Sequence, residues 1–531
     1  MAHPGSLIRP ADDRRPAIDP AQRPQSPLRE LFAPLDQLLA CGGDARIDLD
    51  PLTGRNAYGC GPCPAPELPS FSSCTASTIS PRGYEAAGRA RDALMSSAML
   101  HGLIECFDDR VEAMRDELKT LLGTEPTGAE IVFASSGTDA QLAALAISRA
   151  LLGDDLVTVV MAADQTGTGT AFTAHGQHFG ARSAGGIAAT RGAPIAGLGP
   201  VRSVGLRLRE TEGRLRSPSA LDAETLDVVE SLVAQGARVM LEAMDCSKLG
   251  HAAPSDRCLA EIAARWPGRV QIVIDACQAR LGSRRLTGYL DRGFMVLLTG
   301  SKYFAGPAFS GAVLLPRQIA EAVGTLRRVA PGLADYLGRS DWPQRWRSLR
   351  EQFPAQPNFG QWLRWEAALE EIRAYTAVPA KVRRDVVRKL GAGLAELIAG
   401  SPSARLLPPQ SRAANADEFA LPTIFAFTLQ RGDRALSLAE CRVLHRALAD
   451  GAADRPPCLL GQPVGWRGRA DDAVAALRLC ISARHVVDVH TDAGARDRIL
   501  TEAAAAMATL EALLLQPSVS TDNAAKEHHV H

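Results

Sequence analysis

Apolar residues recur along this chain in two rhythms, and the change from one to the other divides it. Residues 30–40 carry them at helical spacing, and residues 82–122 read as two successive helices. Between these lies a loop, residues 50–80, rich in Gly, Pro, Cys and Ser; loops of that length in compact proteins are usually functional or disordered. From residue 131 the pattern changes to short, nearly continuous apolar runs at 131–134, 156–163, 239–244, 270–274, 295–298 and 312–315, separated by helical stretches or long loops. Strands that are apolar on both faces and joined by crossovers predict a mostly parallel sheet covered by helices on each side. Ligands of such sheets bind outside the carboxyl ends of the strands. Past Pro316, two amphipathic helices (362–375 and 381–398), two strands (424–429 and 477–482) and a last helix (493–515) predict a smaller C-terminal α/β domain. The expected partition is a disordered segment 1–28, an N-terminal arm with a substrate-facing loop 29–80, a large domain 81–330, a small domain 331–515 and a flexible tail 516–531.

Composition removes several function classes. The 59 basic and 59 acidic residues cancel, so no global field gathers nucleic acid or an anionic membrane surface. No run approaches a membrane-spanning length and the amino-terminal segment has no apolar signal core, which predicts a soluble, cytoplasmic protein. The 11 cysteines are scattered through predicted strands and helices, as free thiols in a reducing compartment are. Cys60 and Cys63 have CxxC spacing without a second pair at zinc-ribbon distance, and the tail histidines His528, His529 and His531 lie where nothing would fix ligands, so no metal site is expected. Lysine is rare: Lys119, Lys248, Lys302, Lys381, Lys389 and Lys526 are all there are.

Three strand ends carry chemistry. Ser135, Ser136, Gly137, Thr138 and Asp139 follow the first apolar run and precede an Ala/Leu-rich helix. Amide hydrogens, a helix dipole and hydroxyls converge there on an anion such as phosphate, although Ser or Thr at this place is as often a plain N-cap. Asp275 closes a run that should be buried, which is costly for a carboxylate without a cationic partner. The protonated pyridine nitrogen of pyridoxal 5′-phosphate (PLP) is one such partner; a helix cap or a metal are the alternatives. Lys302 follows the run 295–298 among Thr299, Gly300 and Ser301, small residues that leave a lysine desolvated enough to act as an amine nucleophile. Lys119, Lys381 and Lys389 fall on amphipathic helices and Lys526 in the tail, so Lys248, at another strand end, is the one rival.

In this order the motifs resemble the fold-type I PLP-dependent enzymes, the aspartate aminotransferase superfamily. Asp275 with Gln278 three residues on is similar to the branch of class V aminotransferases, cysteine desulfurases and kynureninase. The resemblance covers residues 130–311 and extends loosely to 484. It implies an α/β fold whose large domain holds a mostly parallel seven-stranded sheet sandwiched by helices beside the small C-terminal α/β domain, a homodimer with shared active sites, and PLP as cofactor. It also implies Lys302 as the Schiff-base lysine, Asp275 on the pyridine nitrogen, Gln278 near the phenolic oxygen, and Ser136, Gly137, Thr138, Thr299 and Ser301 around the phosphate. Gln356, Pro357, Asn358, Phe359 and Gly360 resemble the stretch that reaches the phosphate from the partner subunit, which assigns Asn358 and Gly360 to the cofactor. The chain departs from that branch twice. The ring-stacking His or aromatic residue expected after the second strand is replaced by Asp164, Gln165, Thr166, Gly167 and Thr168, with His175 and His178 further on, and Ser301 stands where desulfurases carry His.

The strand around residue 480 carries Arg478 and is followed by Arg484. Fold-type I enzymes commonly place an arginine here to fork onto the substrate α-carboxylate; Arg478 matches the position better and Arg484 is the reserve. Loops 50–80 and 456–466, with Tyr58, Cys60, Cys63, Cys458 and Gln462, would then choose the side chain. The resulting expectation is an enzyme that transforms a small-molecule α-amino acid in the manner of an aminotransferase. Carbon–carbon bond formation, γ-replacement and elimination or desulfuration are alternatives, the last requiring Cys458 as a nucleophile on a mobile loop. A catalytically inactive PLP-fold binding or regulatory protein is the alternative of another class, against which Lys302, Asp275 and Gln278 stand together. No GxxxxGK[ST] loop or GxGxxG turn occurs in a context that suits a nucleotide.

Overall fold

The computed structural model describes residues 27–408, 417–452, 455–468 and 473–516. The expected disordered start and flexible tail, with Lys526 and the tail histidines, lie outside the described residues except at their inner edges. Among the described residues no helix is long and apolar enough to cross a membrane, and no group of His, Cys, Asp and Glu is arranged to hold a metal ion.

In chain order the first part comprises β1 (Ser70–Phe71), α1 (Pro81–His101), α2 (Leu103–Leu122), β2 (Glu130–Ala134), α3 (Gly137–Leu152), β3 (Leu156–Met161), β4 (Arg202–Leu206), α4 (Pro218–Ala234) and β5 (Arg238–Met244). It continues with α5 (Asp256–Arg265), β6 (Val270–Asp275), α6 (Ser283–Asp291), β7 (Met295–Thr299) and β8 (Gly311–Leu315). Ser80 caps α1 by accepting from Gly83 N, and Gly102, at φ +89°, turns the chain between the two predicted helices. A residue with a side chain rarely takes that conformation, so the glycine sets the break.

The seven strands β2 to β8 form one sheet in the order β2-β8-β7-β6-β5-β3-β4. Every neighbouring pair is parallel except those of β8, which runs antiparallel to both β2 and β7. Because side chains alternate along a strand, the apolar runs feed two cores. In β6 and β7, Ile272, Ile274, Val296 and Leu298 enter one, and Val273, Met295 and Leu297 the other. Helices α4, α5 and α6 lie on the first face, against β5, β6 and β7; α3 covers the second. β4 went unread in the sequence because it is an edge strand with only Leu206 buried, and an edge facing water needs no apolar run.

The later elements are α7 (Phe359–Ala377), α8 (Ala380–Gly400), β9 (Ala404–Leu406), β10 (Ile424–Arg431), β11 (Arg434–Ala435), α9 (Leu438–Asp450), β12 (Leu459–Arg467), β13 (Val474–Cys480), α10 (Ala483–Thr491) and α11 (Ala495–Leu515). They build the second sheet, ordered β1-β12-β13-β10-β11 with β9 on β10. β12 escaped the sequence reading because Gly461, Pro463 and Gly465 interrupt it, and its pairing with β13 slips at Gly461/Val464. β1 pairs in parallel with β12, so the N-terminal arm ends as a strand of the C-terminal sheet. That sheet meets the carboxyl edge of the large one, where Ala483 N donates to Tyr303 O at 2.7 Å.

Candidate functional site

The chain passes from the edge strand β2 to β3 through α3, which therefore crosses β8 and β7 and brings its amino end over the middle of the carboxyl edge. Ser136 caps the helix, accepting from Asp139 N at 3.3 Å. Gly137 allows the approach: a Cβ there would lie 2.7 Å from Cys277 Sγ and 3.2 Å from a Thr299 methyl. This end also holds a residue the sequence did not disclose. Arg46 donates to Ser136 Oγ, to Thr138 Oγ1 and to the Tyr58 hydroxyl, each at 3.3 Å. Asp44 grips it from the other side at 2.8 Å (Nε to Oδ1) and 2.6 Å (Nη2 to Oδ2). Its guanidinium lies over the rings of Phe179 and Phe309, 5.2 and 5.3 Å from their centroids. Burial works against the charge, but Tyr58 and Asp44 more than restore it, and the guanidinium stays charged. No spacing pattern marks Arg46, which stands in a 3-10 turn of an arginine-rich chain. Tyr58, expected with the substrate, is instead beside Arg46 at the amino end of α3, its ring 6.1 Å from that of Phe309.

Asn358 caps α7 through Gln361 N (3.0 Å) and donates to Gly42 O (3.2 Å). Gly360 is buried where a Cβ would meet Cys41 O at 2.1 Å. Both pack the chain's own N-terminal arm against α7, a role different from the one the resemblance gave them. Arg364 reinforces the junction with hydrogen bonds to Phe309 O, Leu39 O and Gly42 O at 2.9, 3.1 and 2.9 Å.

At the centre, Asp275 ends β6 in register with Leu297 of β7, and its Oδ1 accepts from Cys277 N at 3.0 Å. Thr299 donates to Cys277 O at 2.7 Å, and Ser301 is buried next to Lys302 in the chain. Lys302 is half-buried, and its ammonium makes no hydrogen bond or ion pair among the described residues. Beneath Asp275, Glu242 of β5 is fully buried; Gln141 donates to one of its oxygens and the other has no partner among the described residues. Burial, then the charge of Asp275, raises the Glu242 carboxyl far above the ordinary range, so it is a neutral acid beside an acidic neighbour. Backbone strain gathers on this edge: among the described residues, the four non-glycine residues with positive φ are Ala162, Ala279, Ala305 and Phe309, at +57°, +53°, +60° and +69°. Such conformations persist where a site constrains them.

Gln278 has both ends committed, donating to Cys74 O at 2.9 Å and accepting from Arg280 at 2.6 Å. It braces the arm against β6 rather than presenting a free amide to a ligand. Neither histidine fills the ring-stacking place. His175 bonds Ala171 O at 2.8 Å, and His178 bonds the Tyr336 hydroxyl at 2.6 Å and stacks on that ring.

On the small-domain side, Arg478 is buried in β13. It donates to Lys248 O (3.2 Å), Thr75 Oγ1 (3.3 Å) and Gln462 O, and its Nε has no partner among the described residues. Arg484 is stapled to Thr78 O and Ala305 O at 3.0 and 2.7 Å and lies 3.9 Å from Glu371, which fixes the loop after Lys302. Cys74 adjoins Arg478: a Cβ on Gly461 would touch Cys74 Sγ at 2.4 Å and Arg478 Nε at 3.0 Å. Burial alone would raise this thiol, but a hydrogen bond with Cys480 and the charges of Arg478 and Arg280 carry it below the usual thiol range. Cys458, the cysteine required for desulfuration, lies in the hydrophobic core, and burial pushes its thiol up to about 12. A mobile-loop nucleophile is therefore excluded there. Cys60 is buried and Cys63 exposed, so the CxxC pair is not a unit.

No protein-family model and no curated protein matches the chain. Among solved structures, it is similar to Sphingomonas wittichii serine palmitoyltransferase at 16% identity and TM-score 0.49, covering 84% of this chain and 88% of that one. It is similar to a NifS-like protein from Rickettsia africae at 12% and 0.47, covering 82% and 99%. It is similar also to Oryza sativa TDC, solved with PLP and tryptamine, at 15% and 0.47, covering 82% and 84%. Likenesses this distant say nothing of activity. The α/β architecture rests on the strand order itself.

Proposed function

We propose that this chain is a PLP-dependent enzyme of fold type I that transforms an α-amino acid, in the manner of an aminotransferase, as a cytoplasmic homodimer. The observation that carries the reading is the half-buried Lys302, without a hydrogen-bond or ion-pair partner among the described residues, just past β7, one strand from Asp275 and three residues after Thr299, against which the amino end of α3 packs. PLP fits this edge. Ser136, Gly137, Thr138 and Arg46 offer hydroxyls, amides and a guanidinium for its phosphate, Thr299 and Ser301 flank that end, and Asp275 offers its pyridine nitrogen the counter-charge it requires. When bound, PLP supplies the electron sink for the substrate's α-carbon.

The chain's own residues do the rest. Lys302 is the attachment lysine and afterwards the amine that moves a proton at the α-carbon. Burial raises the Glu242 carboxyl, so it adds little negative charge beside Asp275. Arg478 is the candidate carboxylate fork; reaching a ligand requires it to exchange carbonyl partners for carboxylate oxygens, a favourable exchange in a dry site. Transamination needs no further group, and the core position of Cys458 weighs against desulfuration.

Lys302→Ala tests the reading. Wild-type protein incubated with PLP should show a visible absorption band, lose it to borohydride and carry the reduced adduct on the Lys302 peptide. The variant should show no band. A band retained in Lys302→Ala would transfer the role to Lys248.

A further inference from the structure

Lys248 stands on the turn after β5, closed by Ser247 N to His251 O at 2.7 Å and Gly250 N to Ser247 O at 2.9 Å, and pinned by the hydrogen bond from Arg478 to its carbonyl. Its ammonium makes no hydrogen bond or ion pair among the described residues. Burial, then the like charges of Arg478 and Lys302, bring it down to about 8, while Cys74 and Asp275 hold it up. It is therefore mostly protonated at neutral pH and poorly compensated. Arg478 has no carboxylate partner among the described residues either: two carbonyls and a hydroxyl accept from it, and Nε has none.

With Asp275 engaged by the pyridine nitrogen, Lys248 and Arg478 share one anionic neighbour, the Cys74 thiol that Arg478 and Arg280 carry below its usual range. One α-carboxylate would answer Arg478 and leave the Lys248 ammonium still without a hydrogen-bond or ion-pair partner among the described residues, a deficit that a largely desolvated charge does not tolerate well. A ligand with two negative groups removes it. We infer that Lys248, beside the α-carboxylate fork of Arg478, forms a subsite for a second acidic group, so that the substrate is an amino acid with an anionic side chain. The inference rests on the amino-acid reading above and deepens it. Gly461 is part of the device, since any side chain there would be driven into Cys74 and Arg478.

Calorimetry on the PLP-loaded protein tests this with probes that cannot react at the cofactor, succinate against butyrate, and then with aspartate and O-phosphoserine against alanine. Succinate should bind about tenfold more tightly than butyrate or better. The gap should shrink to about twofold in Lys248→Gln and survive in Lys248→Arg. Succinate, and not butyrate, should also shield Lys248 from acetic anhydride in wild-type protein, a readout that stands even if the glutamine variant fails to fold. A preference for aspartate marks a side-chain carboxylate and one for O-phosphoserine a phosphate; either agrees with the subsite. Equal affinities in wild type, a gap unchanged in Lys248→Gln, or no protection of Lys248 overturns it. The cofactor band is read separately: a band without a dianion preference sinks this inference alone, and a preference without a band sinks the PLP reading alone.

Discussion

The two ends of the site handle charge in opposite ways. At the amino end of α3, Arg46 is already matched: Asp44 grips it bidentately, Asp139 lies close by, and two aromatic rings enclose it. At the small-domain end, Lys248 and Arg478 have carbonyls, a hydroxyl, the Cys74 thiol and the charge of Asp275 for company, and neither makes an ion pair among the described residues. The first is a socket whose charge is balanced before anything binds, so it contributes shape and hydrogen bonds and tolerates a permanent occupant. The second is out of balance until an anion arrives, which suits a ligand that comes and goes.

Removing Arg46 should break the contrast most severely. Arg46→Ala leaves Asp44 and Asp139 beside the phosphate position with no cation between them, so PLP affinity should fall by about a hundredfold. Absorbance titration measures it. Arg46→Lys should rescue little, since an ammonium cannot reach Asp44, Ser136 and Thr138 together. At saturating PLP, amino-acid affinity should be unchanged. An equal loss at both ends would mean that the two are one electrostatic unit and that the distinction is wrong.

A change at the other end should be smaller and opposite in kind. Arg478→Lys should weaken amino-acid binding about tenfold, because a point charge replaces two parallel hydrogen bonds, with PLP affinity untouched. Calorimetry on the loaded protein would show both. If amino acids bind the variant as wild type, the carboxylate anchor lies off β13.

The same contrast explains what the sequence could disclose. The six apolar runs of the large sheet were legible because both their faces are buried, and so were the residues at their ends, Ser136, Asp275 and Lys302, since a polar group directly after a buried run stands out. β4 and β12 were not, one being a half-exposed edge and the other interrupted by glycine and proline. Arg46, Cys74 and the role of Lys248 escaped for another reason: they enter through loops and turns, and only tertiary packing brings them to the strand ends. Gln278 and Tyr58 show the converse, since a position read from a motif or a loop does not reveal that Cys74 O and Arg280, or Arg46, already occupy the side chain.

The smallest expected effect sharpens the contrast, because it concerns how finely the socket is balanced. Asp139 is fully buried, takes a hydrogen bond from the Ser136 hydroxyl, and is raised to about 7 by burial and then by the charge of Asp44. An unfolded aspartate titrates near about 3.9. Its contribution to stability is therefore complete below that value, declines as pH rises, and is lost once pH passes through about 7, where the folded carboxyl must ionise too. The sign is the same for an anion in the socket: a neutral Asp139 accepts a phosphate beside it, and an ionised one repels it. PLP affinity should thus drop a few-fold as pH rises across neutrality. Part of any such trend belongs to the phosphate, whose second ionisation falls near about 6. That part is common to wild type and Asp139→Asn, so the difference between their affinity profiles isolates the aspartate. The asparagine variant should give the flatter profile, with the two diverging above about pH 7. Parallel profiles would mean that Asp44 and Arg46 set the charge of the socket without Asp139.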